Sequence, residues 1–261
     1  MNGTKTVNLI LKYIGNDKMT EIDTFVNDVS KRNFIGFSSL EEVSAFFTDY
    51  LAEFYNNNSI NDIDTIRAYT GIAFRRFNFL LRGTWNYDTN GLLTDEMKDK
   101  YLDYADTLSE CIEKSSTLPT NIKTYRGVSL DRFKDYGITS LEDLNSLENK
   151  YYYDSGFTST SLVRDKSFFN RELEYHEFCN IEIEYLIPEE ANDGIPLIDD
   201  SLSYSKVQNE YLINKGSLSK IIDVEISPDG KLAYIKTVLI PQKMWNITYN
   251  KNDSLDFSKT I

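Results

Sequence analysis

The hydrophobic rhythm of this chain changes at Pro119, and that change limits the folds open to it. Upstream, apolar residues recur every three or four positions. Ser39 and Glu42 form a capping box, and Leu40, Val43, Phe46, Phe47, Tyr50, Leu51 and Phe54 then make one stripe on a helix. A second helix is predicted over 62–81, stopped by Gly83. A third starts after Thr94, with Asp95 and Glu96 in its first turn and Leu102, Ala105, Leu108 and Ile112 on its buried face. Downstream the period falls to two. Ile122, Thr124 and Arg126 open a strand, and Ile181, Ile183 and Tyr185 alternate with Glu182 and Glu184. Residues 221–226 and 231–240 flank Ser227-Pro228-Asp229-Gly230, a hairpin signal. Helices followed by strands, without regular alternation, predict an α+β protein rather than a doubly wound sheet. The expected organisation is an N-terminal helical portion, 1–60, and a core, 61–261, in one compact unit. The Asn/Asp-rich stretch 56–64 would be the loop between them.

Charge and residue inventory narrow the chemistry. The 28 basic and 41 acidic residues give a net charge of −13, which repels phosphate backbones and anionic lipid. General nucleic-acid or membrane-surface binding is therefore not expected, although a local basic pocket stays open. Cys111 and Cys179 sit in no metal-ligand spacing and read as buried free thiols. His176 is the only histidine, and its neighbours Tyr175 and Glu177 suggest no nucleophilic triad. A zinc site built on histidines is excluded by counting. The apolar patch at 7–14 is interrupted by Asn8 and Lys12, so it is too short for a membrane span and poor as a secretory signal.

Three segments of the strand-rich half carry candidate chemistry. They are Tyr125-Arg126-Gly127, Gly156-Phe157-Thr158-Ser159-Thr160-Ser161, and Gln208-Asn209-Glu210 ahead of Tyr211-Leu212-Ile213 and Gly216-Ser217. Singly they read as a solvated arginine, a β-edge and an uninformative triplet. In this order and spacing they resemble the R-S-E class of ADP-ribosyltransferases, to which actin-modifying and Rho-modifying bacterial toxins belong. That class also carries an upstream helix, matched here by Tyr69-Thr70, Phe74, Asn78 and Leu81-Arg82, and a Phe-x-x-Arg matched by Phe168 and Arg171. Tyr69, Phe74 and Asn78 are five and four apart, so a helix could turn all three towards one cleft. The resemblance spans roughly 62–240. Phe74 departs from it where many members have tyrosine. Gln208 stands where arginine-modifying members have glutamate and where the Rho-modifying exoenzymes have glutamine.

The resemblance implies a core of two packed, mainly antiparallel sheets with a helical portion ahead of them, and NAD as substrate with no metal. It implies transfer of ADP-ribose to a target protein, a small GTPase or an actin-like protein, by a toxin or effector that is secreted or delivered, with a delivery component among its partners. Nicotinamide already leaves as a neutral molecule from a pyridinium. The site must therefore grip the dinucleotide and place negative charge beside a ribosyl cation. Glu210 would accept from a ribose hydroxyl and stabilise that cation, and Ser159 would hold Glu210. Arg126 and Arg171 would meet the pyrophosphate, where forked donors suit paired oxygens. Tyr69 and Asn78 would add contacts to the dinucleotide, Gly127 would pair with the nicotinamide amide, and Phe168 would pack on its ring. Gln208, two residues before Glu210 and so on the same side of an extended segment, would orient the acceptor. Tyr204 would help to recognise the target. The same residues also suit an NAD glycohydrolase with water as acceptor, or a non-catalytic NAD- or partner-binding module.

Overall fold

Local chemistry sets the helix ends in the computed structural model, which describes residues 3–86, 91–167, 169, 171–172, 178–203 and 209–245. Helices α1 (Gly3–Ile14) and α2 (Asn16–Val29) lead the chain. Helix α3 (Leu40–Asn57) begins where the Ser39 hydroxyl accepts from the Glu42 N–H at 3.3 Å; the Glu42 carboxylate reaches back one residue further than a standard box, to the Ser38 N–H at 2.8 Å. A full capping box of Ser59 and Asp62 opens α4 (Ile60–Ala68).

The single helix expected over 62–81 is broken. After α4 comes a wide π-helical turn, Tyr69–Ala73, and then α5 (Phe74–Leu81). Gly71 sits in the turn at φ −80°, ψ −133°, outside the helical region. Such a turn adds a residue to the helix and changes its phase. The stop at Gly83 holds. Its φ is 66°, and the Thr84 N–H returns to the Phe79 carbonyl at 2.9 Å. Thr94 caps α6 (Asp95–Glu113) as the sequence indicates.

The strands are β1 (Ile122–Val128), β2 (Tyr151–Asp154), β3 (Thr158–Ser161), β4 (Arg171–Glu172), β5 (Phe178–Cys179), β6 (Ile181–Ile187), β7 (Gly194–Leu197), β8 (Glu210–Ile213), β9 (Ser217–Ile226) and β10 (Ala233–Ile240). Eight of them hydrogen-bond in the order β2-β9-β10-β6-β1-β3-β8-β7, while β4 and β5 pair separately. Neighbours run antiparallel except β6 and β10, which are parallel. Pairing of β1 with β6 runs the length of β1, whereas β1 meets β3 in one register pair, Tyr125 with Ser161. The sheet is thus two sets of strands joined at a narrow seam. The inward side chains of both sets share one apolar cluster: Ile183 and Ile235 from one, Tyr211 and Ile213 from the other, with Val43, Phe47 and Tyr50 of α3.

Two smaller clusters complete the packing. Ile66, Phe77, Leu108 and Ile112 of the helical layer meet Ile195, Leu197 and Leu212 of the second strand set. Ile22, Val26 and Val29 of α2 cover Leu186, Leu218, Val238 and Ile240. Both cysteines are buried, and neither is in a disulfide. Among the described residues no helix is long and apolar enough to cross a membrane.

Asp193, just before β7, is buried and accepts from the Gln242 N–H at 2.9 Å, where the short helix α7 (Gln242–Trp245) begins. Burial pushes its carboxyl up to about 6. A folded value above the unfolded one means that its contribution to stability is complete below the unfolded pKa and is lost as pH rises through about 6. Asp193→Asn keeps an acceptor for Gln242 without the charge. Thermal melts should show it more stable than wild type at pH 7.5, on the order of 1–3 kcal/mol, with the difference vanishing towards pH 4. A constant difference across that range would show that Asp193 is not the titrating group.

Candidate active site

Three sequence positions far apart meet at the seam between β1 and β3. The Arg126 guanidinium crosses it and donates to the Ser159 carbonyl at 3.1 Å. Glu210 opens β8 opposite Ser161 and is 8% exposed. Burial pushes its carboxyl up; a hydrogen bond with the Ser159 side chain and the nearby Arg126 charge oppose that shift. A buried carboxylate held by one hydroxyl and facing one guanidinium is suited to stabilising positive charge that develops next to it.

Tyr69 and Asn78 stand behind Ser159. Tyr69 is 1% exposed, with its phenol in contact with Ser159. The Asn78 amide donates to that phenol at 3.0 Å, and its carbonyl accepts from the Phe157 N–H at 2.8 Å. Nine positions along an unbroken α-helix would leave these two side chains about half a turn out of phase. The wide turn at Gly71 brings them together. Tyr69 also stacks on Phe77 at 5.9 Å and meets Phe157 edge-on at 5.2 Å. The cleft expected for Tyr69, Phe74 and Asn78 therefore gathers only two of them, because Phe74 is 38% exposed.

A second charged group escaped the sequence reading. Asp154, at the end of β2, has a side chain only 2% exposed. Arg82, just past α5, donates to both its oxygens, at 2.9 and 3.1 Å, and to the Phe157 carbonyl at 2.7 Å. Arg132 pairs with the same carboxylate and donates to the Tyr152 hydroxyl at 2.7 Å. The Gly156 N–H at 3.0 Å and the Thr158 hydroxyl at 2.6 Å complete its shell. The two guanidiniums hold the Asp154 carboxyl well below the usual range against the effect of burial. Gly156 is required here, since a Cβ would lie 2.6 Å from the Asn78 Oδ1 and 2.9 Å from the Arg82 guanidinium. Desolvation, followed by the charges of Arg132 and Arg82, lowers the pKa of Arg126. A lone acid ending a tyrosine-rich strand was the one available signal.

Other expected positions are less complete. The Gly127 N–H donates to the Ser167 carbonyl at 2.6 Å. Arg171 is described only as backbone, in β4 opposite Cys179. Phe168, His176, Tyr204 and Gln208 lie outside the described residues. Asn209 adopts φ 45°, so the backbone is not extended at this residue, and the two-residue spacing does not by itself put Gln208 on the side of Glu210 as expected. The Asn209 carbonyl accepts from the Leu162 N–H at 2.8 Å, which fixes the turn into β8. Among the described residues no three acidic, histidine or cysteine side chains are grouped to hold a metal.

Residues 44–242 match the family model described as ADP-ribosyltransferase exoenzyme. The chain belongs to that family. It is accordingly an NAD-dependent mono-ADP-ribosyltransferase, with NAD as the substrate it divides. Solved structures agree in fold. C3stau2 from S. aureus, solved with NAD, aligns at TM-score 0.62 and 21% identity over 80% of this chain and 100% of its own. The Clostridium limosum C3 exoenzyme aligns at 0.59 and 22%, over 80% and 98%. BECa, an ADP-ribosylating toxin of C. perfringens solved with NADH, gives 0.59 and 17%, over 80% and 50%. Comparison with curated proteins gives no match.

The backbone at Asn209 generates a test. A β-branched side chain in the left-handed region is strained by roughly 1–3 kcal/mol, whereas glycine is at ease there. Asn209→Val should lower kcat for NAD cleavage about tenfold or more, and Asn209→Gly should lower it far less. Steady-state kinetics with both variants losing equally would show that the turn does not aim Glu210.

Proposed function

We propose that the chain transfers ADP-ribose to a side chain of a small GTPase, in the manner of a toxin or effector delivered to a target cell. The site reading rests on one observation: the Glu210 carboxylate is buried, bonded to Ser159 and adjoining Arg126. Arg126 takes the pyrophosphate of NAD, together with Arg171. Glu210 accepts from a ribose hydroxyl and faces the anomeric carbon. As the bond from C1′ to the pyridinium nitrogen breaks, its electron pair stays on nicotinamide, and the sugar becomes an oxocarbenium ion stabilised by Glu210. The acceptor nitrogen then attacks C1′ and loses its proton.

Ser159 holds Glu210, while Tyr69 and Asn78 support Ser159 from behind; their side-chain bonds within the protein favour this over direct contact with the dinucleotide. Gly127 pairs with the nicotinamide amide by exchanging its bond to Ser167, and Phe168 packs on the ring. Gln208 orients the acceptor and Tyr204 contacts the target. Glutamine at 208 is what favours an amide-bearing side chain of a small GTPase over an arginine of an actin-like protein. Likeness in fold to toxins such as Plx2a from Paenibacillus larvae, at TM-score 0.60, supports delivery to another cell.

Incubation with labelled NAD and host-cell lysate, followed by mass spectrometry, should place label on an asparagine or glutamine of a GTPase. Release of nicotinamide with no labelled protein would instead identify a glycohydrolase. Glu210→Gln should cost about 100-fold or more in both transfer and hydrolysis, and a variant with wild-type turnover would remove Glu210 from the mechanism.

Glu210 must be ionised to act, and its pKa is raised, so kcat should fall with decreasing pH at values above the ordinary glutamate range. Ser159→Ala removes an interaction that lowers that pKa and should move this acid limb to higher pH. An unmoved limb would show that Ser159 does not hold the ionised form.

A further inference from the structure

Beyond the pair Tyr125–Ser161 the chain leaves β1, turns through a short 3-10 helix, Arg164–Lys166, and returns to β1 at Ser167. The Ser167 carbonyl there accepts from the Gly127 N–H at 2.6 Å. Side chains three apart nearly eclipse in such a turn, so Arg164 and Ser167 face the same way. Both meet Glu182. This residue sits in β6 directly opposite Gly127. It alternates with Ile181 and Ile183 of the main apolar cluster, so it faces the other side of the sheet. One Glu182 oxygen accepts from the Arg164 Nε at 2.8 Å and Nη2 at 2.5 Å; the other accepts from the Ser167 hydroxyl at 3.4 Å. The Glu182 side chain is 3% exposed, and Ser167 is buried as well. Two residues further on, Phe169 packs against Tyr234 at 5.3 Å, the β10 residue opposite Glu182. The segment is thus fastened to the outer face of the sheet at Arg164, Ser167 and Phe169.

We propose that Glu182 and Arg164 form a clasp that holds the Ser167 carbonyl on the Gly127 N–H, so that the nicotinamide end of NAD must compete with the protein's own chain for its docking group. This rests on the assignment of Gly127 to the nicotinamide amide. A backbone N–H is a single donor. The carboxamide oxygen of nicotinamide reaches it only when the Ser167 carbonyl withdraws. Arg164 and Ser167 lie one turn apart, so the ion pair that fastens one restrains the other. Separating a buried carboxylate from its guanidinium is costly, which favours the closed form. A ligand that needs the open form has its affinity reduced by the fraction of molecules that are open. That cost falls on the nicotinamide end alone, because Arg126, assigned to the pyrophosphate, is bonded to Ser159 instead.

The test titrates two ligands into the full chain by calorimetry. NADH carries the nicotinamide carboxamide but has no pyridinium to lose, so it binds without being cleaved. ADP-ribose lacks the nicotinamide. Arg164→Gln and Glu182→Gln weaken the clasp from its two sides and change the charge in opposite directions. Both should tighten NADH about threefold or more, the scale of one net hydrogen bond, with ADP-ribose within about twofold of wild type. A general charge effect on an anionic ligand predicts instead that Arg164→Gln weakens both ligands and Glu182→Gln tightens both. A merely structural clasp predicts lower melting temperatures with neither affinity moved.

NADH binding unchanged or weaker in both variants would overturn the proposal, and so would opposite shifts in the two or an equal gain for ADP-ribose. Arg164→Gln leaves the Glu182 charge buried without its cation. If either single variant does not fold, as judged by circular dichroism, the double variant Glu182→Gln/Arg164→Gln decides by the same criterion. An amide spectrum of glycine-labelled protein separates this proposal from the reading beneath it. The Gly127 amide should shift with NADH and not with ADP-ribose. If it ignores NADH in wild type and in the variants alike, the assignment of Gly127 falls and the clasp with it. If it responds to NADH while the variants bind no tighter, only the clasp falls.

Discussion

The bond that crosses the seam, from the Arg126 guanidinium to the Ser159 carbonyl, is the one on which the arrangement depends. Strands β1 and β3 share a single register pair, so the backbone alone couples the two strand sets weakly at this point. A sheet that narrows to one pair leaves main-chain groups and side chains free to point into the gap, and an arginine is long enough to span it. The side chain that ties the halves together is the same one proposed to take the pyrophosphate of NAD. The site and the joint in the scaffold are therefore one structure, and Glu210 gains its surroundings because β8 hangs from β3 on the far side.

Charge is concentrated at that joint in a protein that is strongly acidic elsewhere. Three arginines from a helix end, a strand and the 3-10 turn Leu130–Tyr136 approach each other, and one carboxylate at the end of β2 holds two of them, Arg82 and Arg132. Four elements therefore have to be correctly placed before any of these charges is balanced. Buried ion pairs are poor sources of net stability, but breaking one is expensive.

What the sequence disclosed is what short-range chemistry controls. The caps at Ser39 and Thr94, the stop at Gly83 and the hairpin at Ser227 to Gly230 each involve residues within about one turn of one another, and each is present, whereas the cap at Ser59 went unread and opens a helix inside the stretch 56–64 expected as loop. Arg126, Ser159 and Glu210 were legible because their order resembles a known family, not because spacing brings them together. Asp154 was not legible. Its partners are 72 residues upstream and 22 upstream, and no periodicity links them. The wide turn at Gly71 was hidden because a 3.6-residue rhythm continues on both sides of it. Asn209 offered a faint signal, since asparagine is among the few residues that accept the left-handed region, but the triplet Gln-Asn-Glu reads equally well as the start of a strand.

The wide turn also divides what looks like one rod into two parts whose rotational phases are set separately. Helix α4 is fixed by Ile63 and Ile66 in the helical layer, and α5 by Phe77 and by the grip of Arg82 on Asp154. A length change within 69–73 would spin α5 about its own axis without disturbing α4. Asn78 would then swing away from Tyr69 while every helix stayed folded. Deletions there would also turn Phe77 and Arg82 away from their buried partners, so the loss of the Asn78–Tyr69 contact would come with a loss of stability.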